Sequence, residues 1–343
     1  MKRRDILKGL AVPVLAGSAF GKFRQAGKSK IIKPKRLKAG DTVAVVAPAS
    51  GLTTESFDQA IKNLESLGLK TKVGKSARGV KGFLSATDKE RLDDFHAAFA
   101  DKQISAVWCV RGGYGTSRLL PAIDYNLIAK NPKILIGYSD ITALHLAIFQ
   151  KTGLVTFHGP VAASEYSEYT KYHVENVLMK PSAPHKIALS EYNKEQISNL
   201  FKPEIITAGK ARGRLVGGNL SLLSALAGTP FALRDMKGKI LFIEDVGEQP
   251  YRVDRMLTQM RQSLDLRSLA GIALGIFEDC NPRAEGTQTL SDVLKDRLGD
   301  LGIPVFYGFS FGHIRDQFTL PVGIEAEFDT ATATMTLLET SVF

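Results

Sequence analysis

The first half of the chain alternates short apolar runs with amphipathic segments, and this alternation constrains the fold more than any other feature. Asp41–Pro48 is rich in β-branched residues and ends at a turn, as buried parallel strands do. Runs of similar length recur at 69–73, 104–110, 133–138 and 154–157. The segments between them carry apolar residues at helical spacing, and Thr87-x-x-Glu90 predicts a capping box. The alternation predicts βαβ units in an open, mostly parallel sheet flanked by helices, so the predicted fold class is α/β.

The second half of the chain mixes strand types. A polar, weakly periodic stretch separates it from the first half. A helix is predicted between Asn219 and Gly228, and strands are predicted at 239–244, 272–278, 305–309, 324–328 and 333–338. We predict an N-terminal α/β domain over 39–168, a junction over 169–205 and a C-terminal mixed α/β domain over 206–343.

The positive charge of the chain is confined to its first residues. Residues 1–38 contain twelve Lys and Arg and one acidic residue, a net charge of +11. Since the whole chain carries a formal charge of +10, residues 39–343 carry −1. Proteins that bind nucleic acid displace counterions from phosphates with a basic face. The body of the chain supplies no such excess, so no nucleic-acid partner is predicted.

The first 21 residues have the layout of an export signal. A basic start with two adjacent arginines precedes the apolar stretch 9–21, which is too short to span a membrane. The start resembles a twin-arginine signal, except that Ile6 stands where such signals usually have Phe. We predict a signal peptide over 1–21, a basic, solvated linker over 22–38, a periplasmic protein and no stable membrane insertion. The alternative is a frayed basic N-terminus on a cytoplasmic protein.

One serine stands where a predicted strand runs directly into a helix. In Ile136–Ile141 the strand ends just before Ser139, and the helix begins at Asp140. Such a turn holds a hydroxyl at the carboxyl end of the strands, and the N–H after the serine can donate to an oxyanion. Ile141 replaces the last glycine of the usual Gly-x-Ser-x-Gly pattern. The residues alone therefore leave two interpretations of Ser139, a nucleophile or a helix N-cap.

A glycine-rich segment follows the third predicted strand. Arg111-Gly-Gly-Tyr-Gly115 lets the backbone approach a ligand closely and can direct N–H groups at an anion. It matches neither the Gly-x-Gly-x-x-Gly fingerprint of dinucleotide sites nor a Walker motif. A nucleotide-binding oxidoreductase is therefore weakly supported, and a plain turn is the other alternative.

A serine nucleophile needs a base, usually histidine, and the base needs an orienting group. Two of the six histidines are candidate bases, since His158 ends a predicted strand and His313 follows one in a glycine-rich loop. The others lie in predicted helices or in the polar junction, where a solvated or structural role is expected: His96, His145, His173 and His185.

Two acidic residues at the end of an apolar strand are candidates for the orienting group. Glu244 and Asp245 can each hold an imidazole, and the alternative is a solvated strand end or an ion pair with Arg252 or Arg255. The sequence contains no His-Glu-x-x-His motif, and its two cysteines are isolated. We predict neither a metal nor a cofactor.

Taken together, these motifs resemble those of the LD-carboxypeptidase family of serine peptidases, which also includes microcin C immunity-type proteins. The resemblance covers about residues 38–340. It rests on these stretches, in the family's order: Asp41–Ser50, Val110–Gly115, Ile136–Thr142, Phe157–Pro160, Gly213–Asn219, Leu241–Asp245 with Tyr251 and Asp254-Arg255, and Phe309–His313. It implies an N-terminal open α/β domain, a C-terminal domain of its own type and an active site at their interface.

The resemblance also implies a role for each candidate residue. The family's nucleophile falls on Ser139, its glutamate on Glu244 and its histidine on His313. The N–H groups of Asp140 and Gly113 are implied as the oxyanion hole. Substrate contacts are implied for the rest of the glycine-rich segment: Arg111, Gly112 and Tyr114.

In the implied mechanism, His313 takes the proton of Ser139, Glu244 stabilises the imidazolium, and water later releases the acyl-enzyme. Family substrates are murein tetrapeptides, cut between the L-centre of a diamino acid and the terminal D-Ala. Some relatives instead cleave aminoacyl-nucleotide antibiotics. The export signal and the placement of Trp108, the single Trp, in a predicted strand favour the murein substrate. A non-catalytic muropeptide-binding protein is a further alternative, and the resemblance leaves a homodimer open.

Overall fold

The computed structural model describes residues 30–343 and contains two sheets flanked by helices. The strands are β1 (Thr42–Val46), β2 (Lys70–Val73), β3 (Ile104–Cys109), β4 (Ile134–Gly137), β5 (Thr156–His158), β6 (His185–Ile187), β7 (Glu204–Thr207), β8 (Lys210–Asn219), β9 (Ile240–Glu244), β10 (Gly271–Ile276), β11 (Val305–Gly312), β12 (Leu320–Val322), β13 (Glu325–Asp329) and β14 (Thr334–Leu337). The helices are α1 (Thr54–Ser66), α2 (Asp88–Ala100), α3 (Tyr125–Lys130), α4 (Thr142–Thr152), α5 (Glu168–Val174), α6 (Glu191–Lys194), α7 (Leu220–Ala225), α8 (Pro250–Ser263) and α9 (Leu290–Leu298). This confirms the predicted α/β class.

The first sheet has the strand order β12-β5-β4-β3-β1-β2. Strands β1 to β5 pair in parallel, and β12 runs antiparallel to β5. The predicted open, mostly parallel sheet is therefore confirmed. The predicted capping box is present on α2, where Thr87 and Glu90 each accept the other's backbone N–H. Because parallel strands end at the same edge, Arg111–Gly115, Ser139 and His158 gather at one side of the sheet.

The second sheet has the order β6-β14-β13-β8-β9-β10-β11-β7. Its central strands, β8 to β11, are parallel, and antiparallel strands flank them on both sides. The predicted mixed sheet is confirmed. Glu244 ends β9, and β11 continues three residues beyond the predicted strand, to Gly312. His313 therefore follows a strand directly instead of lying in a loop.

Helix α4 is buried on almost every side and joins the two halves of the molecule. All residues from Thr142 to Ile148 are buried. The helix packs against β5 of the first sheet and against β8 and α7 of the second half. A helix that is apolar all round is typical of a protein interior. The segment that carries Ser139 is thus fixed at the contact between the halves.

The described part of the predicted linker packs against the body. Ile32 forms a parallel bridge with Leu154. Leu37 is fully buried, and its N–H donates to Leu178 O at 2.8 Å. The prediction of a solvated linker is therefore wrong for Ile32, Pro34 and Leu37, whose contacts charge content alone does not reveal, whereas Lys35, Arg36 and Lys38 are exposed.

The two halves of the chain interleave. Strand β12, which follows most of the second sheet in the chain, joins the first sheet, and β6 from the predicted junction joins the second. The domain limits therefore stay predictions. The predicted signal peptide, 1–21, and residues 22–29 lie outside the described residues. Over residues 30–343, no helix is long and apolar enough to cross a membrane.

Candidate active site

Ser139 occupies a strained turn between β4 and α4. Its φ is +64°, a left-handed conformation that costs a residue with a side chain about 1–2 kcal/mol. A single 3₁₀ turn, Ser139–Ile141, separates the strand from the helix, and no side chain caps either helical segment. Of the two interpretations of Ser139, the structure therefore excludes the helix N-cap. It places the residue in a strained turn between strand and helix, which we call the serine elbow. Strain of this kind concentrates at functional sites.

The glycine-rich segment after β3 lies directly on the serine. A Cβ at Gly112 would stand 2.7 Å from Ser139 Cβ and 3.0 Å from its Oγ, so this close approach requires glycine. Gly113 has a φ of +108° and packs on Ser50. Ser50 Oγ accepts the N–H of Tyr114 at 3.2 Å and so holds the segment in place.

Two N–H groups at this turn are available to a ligand. Within the part of the chain that the structure describes, neither the N–H of Gly113 nor that of Asp140 donates a hydrogen bond. Both residues border Ser139, one across the contact with Gly112 and one along the chain. Unpaired N–H groups beside a serine hydroxyl are what an oxyanion hole requires.

The side chain of Asp140 has a different task from its N–H group. Its Oδ2 accepts the N–H of Thr116 at 2.8 Å, while Thr116 Oγ1 donates to Asp140 O at 2.5 Å. The carboxyl is buried, and burial raises its pKa although the bonds from Thr116 oppose the shift. These bonds tie the elbow to the glycine-rich segment. Thr116 escaped the sequence analysis because a single Thr after a glycine-rich turn carries no distinguishing pattern.

His313 and Glu244 form a hydrogen-bonded pair in the second half. The distance from His313 Nδ1 to Glu244 Oε2 is 2.7 Å, with the carboxylate fully buried and 17 % of the imidazole exposed. Burial lowers the pKa of His313, but the charge and hydrogen bond of Glu244 outweigh it and the net shift is upward. Burial raises the pKa of Glu244, but His313 outweighs it and the net shift is downward. Both shifts favour the charged forms, and the pairing at Nδ1 leaves Nε2 for another partner.

The two parts of the site meet through Tyr138. Its ring packs edge-on against the imidazole of His313, with 4.8 Å between the ring centroids, and Ser139 is the next residue along the chain. Tyr138 therefore borders both Ser139 of the first half and the His313–Glu244 pair of the second half. A serine close to a histidine that is hydrogen-bonded to an acid is the set of side chains found in serine hydrolases.

The other candidate base, His158, lies close enough to Glu244 to feel its charge but is not hydrogen-bonded to it. It is buried against the rings of Tyr138, Phe242 and Phe311, and neither ring nitrogen is hydrogen-bonded to a described residue. Burial lowers its pKa to about 4. His313, and not His158, has the carboxylate that orients a general base.

The remaining histidines have structural contacts. His145 Nε2 contacts Gly137 O at 2.8 Å, and His96 accepts the N–H of Asp124. His173 and His185 contact each other, with 3.2 Å between their ring nitrogens.

Asp245, the second candidate acid, is hydrogen-bonded to groups other than His313. Its carboxylate accepts hydrogen bonds from Asn219 Nδ2 at 3.0 Å and from Ser221 N and Oγ at 2.9 and 2.8 Å. Burial raises its pKa to about 6. The ion pair considered as an alternative is absent from the described residues, since Arg252 pairs with Glu248 instead.

Of the three predicted substrate contacts, Gly112 lies on Ser139, and Arg111 and Tyr114 flank it along the chain. Arg111 is half-buried, and its only described contact is a long one, 3.4 Å from Nη1 to Gly51 O, so no described carboxylate neutralises it. Tyr114 is 52 % exposed and packs edge-on against Phe83. Residues 30–343 hold no group of three or more His, Cys, Asp and Glu placed to bind a metal.

The fold and the site define a class of protein. It is an α/β enzyme built from two halves, with a serine from one half and a histidine–glutamate pair from the other. Comparison with known proteins identifies the family. Residues 43–159 match the N-terminal domain of LD-carboxypeptidases, and residues 212–328 match the C-terminal domain. The chain belongs to the LD-carboxypeptidase family and is a carboxypeptidase.

Similarity to individual proteins extends over most of the chain. The probable murein peptide carboxypeptidase of Bacillus subtilis is 43 % identical over 303 residues, 88 % of this chain and 93 % of that protein. The murein tetrapeptide carboxypeptidase of Pseudomonas aeruginosa is 35 % identical over 298 residues, 82 % and 91 % of the two chains. The structure of MccF, the microcin C7 self-immunity protein of Escherichia coli, in complex with glutamyl sulfamoyl guanosine superposes with a TM-score of 0.82 at 27 % identity, covering 91 % and 99 %.

Proposed function

We propose that this protein is a serine LD-carboxypeptidase that removes the terminal D-Ala of murein tetrapeptides through an acyl-enzyme on Ser139. The observation that carries the proposal is the 2.7 Å contact between His313 Nδ1 and buried Glu244, beside a serine held at a strained elbow. The names of the Bacillus and Pseudomonas relatives support the substrate class.

The hydrogen bond to Glu244 determines how His313 moves a proton. With Nδ1–H donated to the carboxylate, Nε2 carries a lone pair that can accept the proton of Ser139. The imidazolium that forms lies against a buried carboxylate, where electrostatic attraction is stronger than in water. His313 then donates this proton to the nitrogen of the leaving D-Ala.

Attack by Ser139 moves negative charge onto the carbonyl oxygen. The N–H groups of Gly113 and Asp140 are unpaired and border the serine, so they hold that oxygen. Removing one such donor typically lowers kcat by about 10²- to 10³-fold. Water activated by His313 then attacks the ester and frees Ser139.

A carboxypeptidase must also recognise a free terminal carboxylate. Arg111 follows β3 immediately before Gly112, which touches the serine, and no described carboxylate pairs with its guanidinium. A guanidinium binds a carboxylate through two parallel hydrogen bonds. Arg111 therefore binds the carboxylate of the terminal D-Ala, with Tyr114 at the outer edge of this subsite.

Two other functions suit parts of the site. Hydrolysis of an aminoacyl-nucleotide antibiotic is supported by the similarity to MccF. It is disfavoured because Trp108 is fully buried and donates to Pro160 O, so this ring cannot stack on a base. A muropeptide-binding protein without activity is disfavoured by the paired His313 and Glu244.

Mass spectrometry of three reactions separates these functions. The substrates are L-Ala-γ-D-Glu-meso-diaminopimelate-D-Ala, the same peptide with a C-terminal amide, and aspartyl sulfamoyl adenosine. We expect loss of D-Ala from the free acid and about 10- to 100-fold slower cleavage of the amide, which lacks the charge that Arg111 binds. Cleavage of the nucleoside compound alone would establish the amidase, and binding of the peptide without cleavage would establish a binding protein.

Residues 1–21 support a periplasmic place of action. The substrate is a wall peptide, and the basic, apolar start of the chain has the layout of a twin-arginine signal. Replacing Arg3 and Arg4 with Lys should retain the protein in the cytoplasm, measured by immunoblotting of periplasmic and cytoplasmic fractions. A wild-type chain found only in the cytoplasm would contradict export.

A further inference from the structure

One buried hydroxyl joins the halves of the molecule at the site. The N–H of Asn219, the last residue of β8, donates to Thr142 Oγ1 at 2.9 Å. Thr142 is fully buried. The preceding residue, Gly218, has a φ of +142°, and a Cβ there would stand 2.5 Å from Thr142 Oγ1 and 2.6 Å from its Cγ2. The contact therefore depends on a glycine that leaves room for the threonine.

Each partner in this contact is next to one part of the site. Thr142 begins α4 and follows Ser139 by a single 3₁₀ turn. On the other side, Asn219 is the register neighbour of Glu244 in the parallel pairing of β8 with β9. Glu244 in turn holds His313. One hydrogen bond thus connects the serine elbow to the strand end that carries the acid.

The Asn219 side of the contact is rigid. The side chain of Asn219 donates to Asp245 at 3.0 Å and accepts the N–H of Leu222, which caps α7. Asp245 is itself held by Ser221. A displacement of Thr142 relative to Asn219 is therefore not absorbed by loose side chains and changes the relation between the two parts of the site.

We propose that Thr142 is a positioning residue that sets the distance between Ser139 and the His313–Glu244 pair. The proposal rests on the proposed function, since it assumes that these three residues react together. A misplacement of about 1 Å can cost about 10²-fold in rate. The Thr142 hydroxyl has no described hydrogen bond to Ser139, His313 or Glu244, so we expect its loss to change the geometry and not the chemistry of these groups.

The test compares Thr142→Val with Thr142→Ser in the full chain. Valine has the shape of threonine but cannot accept the N–H of Asn219, whereas serine keeps the acceptor. For release of D-Ala from the tetrapeptide, we expect Thr142→Val to lower kcat about 10- to 100-fold with KM within about 2-fold. Thr142→Ser should recover to within about 3-fold of wild type, and the midpoint of the pH profile should not move because the His313–Glu244 pair is intact.

Thr156→Val is the matched control. Thr156 is a fully buried threonine of the same half, and its hydroxyl has no hydrogen-bond partner among the described residues. It should keep wild-type kcat. If Thr142→Val does not fold, Thr142→Cys replaces it, because sulfur is a weak acceptor and cysteine, like serine, lacks the methyl group.

A fluorophosphonate that labels nucleophilic serines distinguishes this proposal from the proposed function. We expect the rate at which Ser139 is labelled to fall in Thr142→Val by the same factor as kcat. Intact-protein mass spectrometry measures this labelling rate. If the wild-type protein is labelled but does not release D-Ala, the proposed substrate is wrong. The labelling rates of the Thr142 variants then still test the positioning role. The positioning role would be overturned if Thr142→Val kept the labelling rate and kcat of wild type, or if Thr142→Ser lost as much of both as Thr142→Val. It would also be overturned if the wild-type protein were not labelled.

Discussion

His313 and Glu244 stabilise each other's charged form, which suits the pair to proton transfer. Burial opposes a charge on either group, but the opposite charge of the partner prevails in both. The pKa of His313 therefore lies above its ordinary 6.5, and that of Glu244 below its ordinary 4.5. The pair therefore makes its full contribution to the free energy of unfolding between the two ordinary pKa values, 4.5 and 6.5. This contribution is lost as the pH falls through the pKa of folded Glu244 or rises through that of folded His313.

Neutralising Glu244 should move the pH dependence of catalysis. Because the neutral imidazole is the base, wild-type kcat/KM should rise with pH around a midpoint above 6.5. In Glu244→Gln, burial prevails over the weaker influence of Asp245 and Glu278, so the midpoint moves to lower pH. We also expect kcat to fall about 10²- to 10⁴-fold. Rates of D-Ala release across pH measure both effects, and a midpoint that stays in place would contradict the pairing.

At the scale of elements, buried polar groups hold the loops at the carboxyl edge of the first sheet. The guanidinium of Arg91 is wholly buried. It donates to Pro48 O after β1 and, at 3.1 Å, to Gly115 O after β3, and it pairs with Asp88 at 2.7 Å. Burying a guanidinium costs several kcal/mol unless its donors are used. Here Nη1 satisfies carbonyls in the segments that surround Ser139 and Nη2 pairs with Asp88, whereas Nε has no partner among the described residues.

Replacing Arg91 should therefore cost far more than replacing its exposed neighbour. Arg91→Met leaves the buried Pro48 O without a described donor, while Gly115 O keeps only the long bond from Arg118 N at 3.3 Å. We therefore expect a loss of about 2–5 kcal/mol in the free energy of unfolding and a lower kcat. Arg118 pairs with the same Asp88 but is 45 % exposed, and Arg118→Met should cost less than about 1 kcal/mol. Urea denaturation compares the two variants. Equal losses would show that Asp88, and not the loop carbonyls, accounts for the effect.

Elements with a local signal could be predicted from the sequence, and elements that depend on distant contacts could not. The β-branched run at 41–48 and the cap at Thr87 are each encoded within a few residues, and the structure has both. Strand β8 escaped prediction because Gly217 and Gly218 have low β propensity. Both adopt positive φ. A Cβ at Gly217 would stand 1.9 Å from Phe242 O of β9, and one at Gly218 would stand 2.5 Å from Thr142 Oγ1 of α4, so only distant contacts explain these glycines.

At the scale of the whole molecule, the site exists only because the two halves interleave. Ser139 belongs to one half, and Glu244 and His313 to the other. Strand β12 comes from the second half of the chain but pairs in the first sheet. The contact of Thr142 with Asn219 spans 77 positions in the sequence. Local patterns identified the candidate residues, but they could not choose between His158 and His313. The structure separates these two by the carboxylate that only His313 contacts, and the catalytic roles stay predictions.

Release of D-Ala by the wild-type protein and by Ser139→Ala tests the central claim most directly. Both proteins are incubated with the tetrapeptide, and the products are identified by mass spectrometry. Ser139 makes no capping contact, so the alanine variant should fold like wild type, which circular dichroism checks. We predict that wild type releases one D-Ala per peptide and that Ser139→Ala loses at least about 10³-fold in kcat. Release at the wild-type rate by a folded Ser139→Ala would contradict the account.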